Sequence, residues 1–422
     1  MSADNSKDRI MTFTRGKRAV AVVALTALAV TLAGCSAGTG GGKTEISFMP
    51  YQPIKIMQPI IDAFEKTHPD ISVKVSPAEP TTYAQTLQTR ITGGQTPDVF
   101  QITSENRSDV LNNDLAISLS DEPYLKSVDE SFLSLSSKGG KVYGVTFTAW
   151  MGALIYNKDL VKAAGFDKFP TDIDGLIELS AALTKNNVIP YLEEQSIASG
   201  SLTAMLASQN VLNKIAPSEF WLDAKKADAT FVDSWSPAIS AWTKLVKGGF
   251  ISTNTLGIGG DQVKSAFLSG QAAIFRSGNW ILADLRKSGV NFAVAPFPAY
   301  PGGGAMINGG GDPSYSVSAK SSLEKQTAAK KFLGFLASST GVEMLATGQG
   351  AQSISTNYKS DPGDEFRNVY EDYLVPGHFY WIEWSKNAPI MSQTMSTQQQ
   401  LIIQGQGDAA SFSKAMDAAQ KN

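Results

Sequence analysis

The run Lys141–Leu160, KVYGVTFTAWMGALIYNKDL, carries no charge between Val142 and Asn157. Its segment Val142–Thr148 has the Val, Thr, Phe and Tyr content that suits a pleated strand, and Tyr156–Asp159 supplies polar residues for a turn and a helix start. A long apolar strand in mid-chain either ends inside a core or passes from one packed body to another. Length favours passage: 422 residues exceed the roughly 250–300 at which a single hydrophobic core stops growing. Two bodies are therefore expected, with Trp150 either buried at the crossing or facing the cleft between them.

Composition narrows the function. With 42% hydrophobic and 18% charged residues the chain is ordinary for a globular protein. A net charge of −3 leaves no basic field for nucleic acid. The two histidines, His68 and His378, lie far apart, and the one cysteine sits at position 35, so neither a His/Cys zinc site nor a cysteine nucleophile is expected. No Gly-x-Ser-x-Gly elbow surrounds a serine.

Residues 1–34 read as a signal peptide: Arg15, Lys17 and Arg18 precede the small-apolar run Ala19–Ala33, which is shorter than the roughly 20 residues of a permanent span. Leu32-Ala33-Gly34-Cys35 resembles the bacterial lipobox, which implies cleavage before Cys35 and lipidation of its thiol; the alternative is a buried free thiol. Cleavage removes five positive and two negative side chains, taking the net charge from −3 to −6. No disulfide can then form, so core burial alone must hold the mature body. Residues 35–43 read as a flexible Gly/Ser tether. Ala37–Thr44, AGTGGGKT, has the look of a phosphate loop, but it lacks the preceding strand and following helix that the chemistry needs.

Beyond the tether, strands and helices alternate. Thr44–Met49 and Ile71–Val75 read as strands around a helix with Ile56, Ile60, Ile61 and Phe64 on one face. A further helix leads through Gly93-Gly94-Gln95-Thr96-Pro97-Asp98 into a strand at Val99. Such alternation implies an α/β body whose ligands sit beyond the carboxyl ends of its strands. That rule points to Tyr51, Gln52 and the segment Gln101 to Glu105. Further on, a strand at Val188–Glu194 brings Glu193 to an equivalent edge. Glu193 and Glu194 point to opposite faces of a strand, so they make a poor glycosidase pair.

Several of these passages together resemble the extracellular solute-binding proteins of family 1, the capture subunits of ABC importers, many of them for sugars. They are Phe64–Val73 (FEKTHPDISV), Gly93–Phe100 (GGQTPDVF), Gly140–Val145 followed by Ile155–Leu160, and Phe267–Trp280 (FLSGQAAIFRSGNW). The resemblance implies an α/β, two-lobe periplasmic-binding-protein-like fold of type II, with mixed sheets flanked by helices and a hinge. Lobe one would be residues 44–148 plus 314–347 and lobe two 149–313 plus 348–422. It further implies a monomer that takes no cofactor or metal, binds a sugar or oligosaccharide, delivers it to permease subunits and touches the membrane only through its lipid. Trp280 would stack on a sugar ring with Asn279 beside it, and the recrossing near Gly309–Gly311 would bring Asp312 and Tyr315 to the cleft. Trp381 and Trp384, in the tail FYWIEW, are added on aromatic character, without a face assigned. The rival readings are an exported glycoside hydrolase, a binder of polyamine or another cation, and a surface adhesin.

Overall fold

The computed structural model of the protein describes residues 42–133, 136–195, 201–212, 230–311, 313–380, 384 and 388–421. In chain order its strands are β1 Thr44–Phe48, β2 Ile71–Val75, β3 Val99–Ile102, β4 Ser137–Lys138, β5 Lys141–Val142, β6 Thr148–Asn157 and β7 Ile189–Leu192. They continue with β8 Ala272–Gly278, β9 Phe292–Ala295, β10 Ile307–Gly310, β11 Ser314–Val317, β12 Gln352–Ser353 and β13 Phe379–Tyr380. One mixed sheet has the order β11-β3-β1-β2, and another has β13-β10-β6-β8-β7 with β9 and β12 also on β6. Helices cover the faces of both, giving the two-lobe α/β fold expected from the sequence.

The first sheet is held by helices whose apolar residues recur at helical spacing. Helix Ile54–Thr67 buries Met57, Ile60, Ile61 and Phe64, and helix Leu323–Leu336, capped by the Ser322 side chain, buries Ala328, Ala329, Phe332, Leu333 and Leu336. Phe332 meets Phe48 of β1 at 5.4 Å and Phe64 at 5.1 Å, ring edge to ring face. Asp98, at the mouth of β3, clamps this layer. It accepts from the Ser47 N–H and hydroxyl at 2.8 Å each, from Ser321 at 2.6 Å and from Lys325 at 3.0 Å.

In the second sheet the period-two alternation of β6 divides two cores. Ala149, Met151, Ala153 and Ile155 join the core shared with the first sheet, whereas Leu154 joins Trp235, Trp242, Met205 and Phe412 on the other side. Trp235 and Trp242 are buried on helix Phe231–Lys247.

Three passages link the sheets, and all pass close to Thr148. Val145 still pairs with Tyr315 of the first sheet, while Thr148 onward pairs in the second. The long strand therefore lies over Thr148–Asn157 rather than the expected Val142–Thr148, because ladder partners in the second sheet begin at Thr148 on one edge and at Trp150 on the other. The chain returns between Gly310, opposite Trp150, and Ser314, opposite Ile102. It leaves again after helix Ser339–Gln349, which ends at Gly350 in the left-handed region (φ 62°) and runs into β12 beside Thr148 and Ala149. The Thr148 hydroxyl donates to Gln349 Oε1 at 3.1 Å, joining the first passage to the third.

Candidate ligand-binding site

In the second sheet β7, β8, β10 and β13 run one way and β6 the other, so their carboxyl ends share one edge. At that edge β8 ends in Gly278, and the turn Asn279–Ile281 carries Trp280. Trp280 is 48% exposed. The outer edge of its indole closes on backbone: a Cβ at Gly278 would overlap its six-membered ring and the Met151 carbonyl. Only glycine allows that approach. Opposite Gly278 stands a second glycine, Gly152, and a Cβ there would be 3.5 Å from the Trp150 ring. Half-buried Trp150 meets Trp280 edge to face, 5.9 Å between centroids at 61°. Two indoles thus rest on a floor of two glycines.

The strand ends of the first sheet are polar. The Tyr51 N–H donates to Gln101 Oε1 at 2.6 Å, and the half-buried Tyr51 ring sits 5.5 Å from that of Tyr83. Tyr83 holds the turn, donating to the Met49 carbonyl at 2.9 Å and accepting from the Gln101 N–H at 2.8 Å. Gln52, Gln101, Thr103 and Tyr315 are buried, and among the described residues Gln52 Oε1 and Thr103 Oγ1 have no hydrogen-bond partner. Tyr315 pairs with Gln101 across β11 and β3, and its hydroxyl faces the side chains of Gln101 and Gln349. Burial pushes that hydroxyl well above the ordinary tyrosine range, so it stays a neutral donor. Glu105 is exposed beyond β3.

Residues 59–370 match the bacterial extracellular solute-binding proteins. The chain belongs to that family. A family 1 extracellular solute-binding protein from Bifidobacterium longum subsp. infantis superimposes with a TM-score of 0.82 at 38% identity, over 90% of this chain and 99% of that one. The multiple sugar-binding protein of Streptococcus mutans is 22% identical over 356 residues, 80% of this chain and 81% of its own length. The maltodextrin-binding protein MdxE of Bacillus subtilis is 24% identical over 307 residues, 68% of this chain and 69% of its own length.

Of the residues read from sequence, this solute-binding protein brings Trp150, Trp280 and Asn279 together on the second sheet and Tyr51, Gln52, Gln101 and Tyr315 together on the first. Asn279 itself is 6% exposed, and both ends of its amide are committed to backbone: Oδ1 accepts from the Met151 N–H at 2.8 Å and Nδ2 donates to the Gly350 carbonyl at 2.5 Å. Glu193, read from the sequence as a candidate at the strand edge, is wholly buried and braces the fold. Tyr191 donates to its carboxylate at 2.8 Å, the Leu202 N–H at 2.9 Å and Gln195 Nε2 at 3.0 Å. Burial raises its pKa, offset in part by Arg276 and these donors. Trp384 packs on Trp235 and Phe231, at 6.0 and 6.2 Å, and donates to Ser392 at 2.9 Å, so its ring belongs to the helical layer. Cys35, the leader, Asp312 and Trp381 lie outside the described residues. The sequence reading passed over Gly152 and Gln349. A glycine inside an apolar strand, placed two residues from a tryptophan, was the signal available for the first.

Proposed function

We propose that this protein is the capture subunit of an ABC importer for a sugar or oligosaccharide, as its relatives' names describe for them, and that it releases the solute unaltered. The lobes assigned are 44–148 plus 314–347 and 149–313 plus 348–422, and the ligand lies between them. The observation that carries this reading is the Trp280 indole, half-exposed and set close against the Gly278 backbone beside Trp150. Such a face meets the apolar face of a pyranose, with about 0.5–1.5 kcal/mol from each aromatic contact beyond burial. Tyr51, Gln52 and Glu105 supply hydrogen bonds from the other lobe, and Asp312 and Trp381 complete the site. Ligand touching both lobes favours the closed form by its differential affinity for that form. Micromolar capture, about −8 kcal/mol, needs only a handful of such contacts.

Export follows from the family and from the leader, and Cys35 is the proposed lipid anchor on the outer face of the cytoplasmic membrane. The anchored monomer presents its closed lobes to permease subunits. Among the described residues no helix is long and apolar enough to cross a membrane. A catalytic role is disfavoured by Glu193, whose carboxylate is enclosed and bonded within its own lobe.

Thermal-shift screening of the mature chain against mono- and oligosaccharides and polyamines tests the reading, with product analysis of the same mixtures. A rise in melting temperature with intact sugar is expected. Hydrolysed sugar would establish the hydrolase, and a response to polyamine alone would establish the cation binder.

A further inference from the structure

Along one edge of β6 two short strands follow each other. β8 pairs from Tyr156 down to Gly152, where it ends at Gly278, and β12 takes up the same edge at Ala149 and Thr148. Odd-numbered residues of this stretch offer their backbone groups to that edge: the Phe147 carbonyl accepts from the Ile354 N–H at 3.1 Å, and the Met151 N–H points into the space between the strands. On this edge no residue of β8 or β12 stands opposite Met151, and an unmet N–H there would carry a desolvation penalty. The Asn279 side chain occupies the position. Its Oδ1 takes the Met151 N–H and its Nδ2 reaches the Gly350 carbonyl, so one amide splices β8 to the passage that leads out of helix Ser339–Gln349. An amide is needed, because one end must accept and the other donate.

We infer that Asn279 is a positioning residue for ligand capture: its side-chain amide stands in for the missing strand residue between β8 and β12 and pins the Trp280 indole to the hinge. Trp280 is the next residue, within a turn of three, and Trp150 lies on β6 directly beside the spliced gap. The stacking surface therefore moves with the third passage as well as with its own lobe. This deepens the proposed sugar-stacking role of Trp280 and rests on it.

The test uses the full mature chain carrying Asn279→Ala or Asn279→Asp; the aspartate keeps the acceptor for Met151 and sets a second, charged acceptor against the Gly350 carbonyl, so it breaks the splice at that end, and circular dichroism confirms that each variant is folded before it is used. One readout needs no ligand. The fluorescence of Trp280 is isolated as the difference between each protein and its Trp280→Phe counterpart, and its acrylamide quenching should rise about two-fold in both variants. Unchanged quenching would overturn the pin. The second readout is a double-mutant cycle with maltotriose and raffinose as probes. Asn279→Ala should weaken binding about ten-fold when Trp280 is present and leave it unchanged in a Trp280→Ala background. Equal losses in both backgrounds would show that Asn279 acts on the fold at large and would overturn the inference. Should neither probe nor any other saccharide bind the parent chain, the capture reading falls, while the quenching result still decides the pin.

Discussion

The strand ends of the two sheets are chemically unlike. Those of the first sheet hold an amide oxygen and a hydroxyl with hydrogen-bonding capacity to spare among the described residues, at Gln52 Oε1 and Thr103 Oγ1. Those of the second hold two indoles, and the two polar side chains read there from the sequence are committed: Asn279 bonds at both ends, and both Glu193 oxygens accept from the protein, leaving Gln195 Oε1 as the spare acceptor beside them. A buried polar group without a partner costs about 1–3 kcal/mol, so a pair of them at one end of a sheet marks a place selected for something other than stability. Stacking on an indole is tolerant of which hydroxyls a ring carries, whereas amide and hydroxyl contacts are directional. The difference implies a division of labour, with affinity from the second sheet and discrimination among solutes from the first.

The largest expected effect tests whether the second sheet's polar groups are purely internal. Glu193→Ala strands three donors in a fully buried site and should cost about 3 kcal/mol of stability, read by urea unfolding. Glu193→Gln should stay within about 1 kcal/mol of the parent, because Gln195 Oε1 has no partner and its amide can turn to accept from the new one. The pH dependence follows from the raised pKa. Folded Glu193 keeps its proton above the pH at which the unfolded chain loses it, so its contribution falls as pH rises from the unfolded value through the folded one. Glu193→Gln removes that slope; an unaltered pH profile would mean that the carboxylate is not buried in solution.

Next in size is Trp280→Ala. With the indole half-exposed the fold should tolerate its loss, while affinity for the saccharide found by screening should drop about 30-fold, near 2 kcal/mol by calorimetry. Retained affinity would move the stacking role elsewhere and dissolve the contrast between the two sheets.

How far this was readable in the chain differs between neighbouring residues. Trp280 stood out because a glycine, an amide and a tryptophan follow a short apolar strand. That Asn279 is consumed by a carbonyl at Gly350 could not be read, since the partner arrives from a separate passage of the chain. The same holds for Glu193, whose donors come from β7, the loop after it and the start of helix Leu202–Leu212. Trp384 looked equal to Trp280 by composition, and only packing against Trp235 separates them. The strand expected over Val142–Thr148 and found over Thr148–Asn157 shows the same limit. Both stretches are apolar and β-prone, and the choice between them is made by partners on both edges that lie more than a hundred residues away in sequence.

Asp98 provides a control on the first sheet away from its strand ends. Its burial acts to raise the pKa, but donors at Ser321, Ser47 and Lys325 outweigh that and hold it below the ordinary value. Its stabilising contribution is therefore complete above the unfolded pKa of about 3.9 and is lost as pH falls through the lower folded value. Asp98→Asn should cost about 1.5 kcal/mol at neutral pH, flatten the acid limb of the stability curve and leave ligand affinity alone. A change in affinity would show that the body of the first sheet, and not only its strand ends, communicates with the ligand.

The smallest effect is the sharpest, because it predicts opposite signs in two measurements. Among the described residues Gln52 Oε1 is buried without a hydrogen-bond partner. Gln52→Ala removes an acceptor that is a liability without ligand, so melting temperature should hold or rise. The same change removes a hydrogen bond from the complex and should weaken binding about five-fold, near 1 kcal/mol. Loss of stability with intact affinity would mean that the amide serves packing. The spare hydrogen-bonding capacity of the first sheet would then not be aimed at a solute, and discrimination would have to come from the tryptophan side after all.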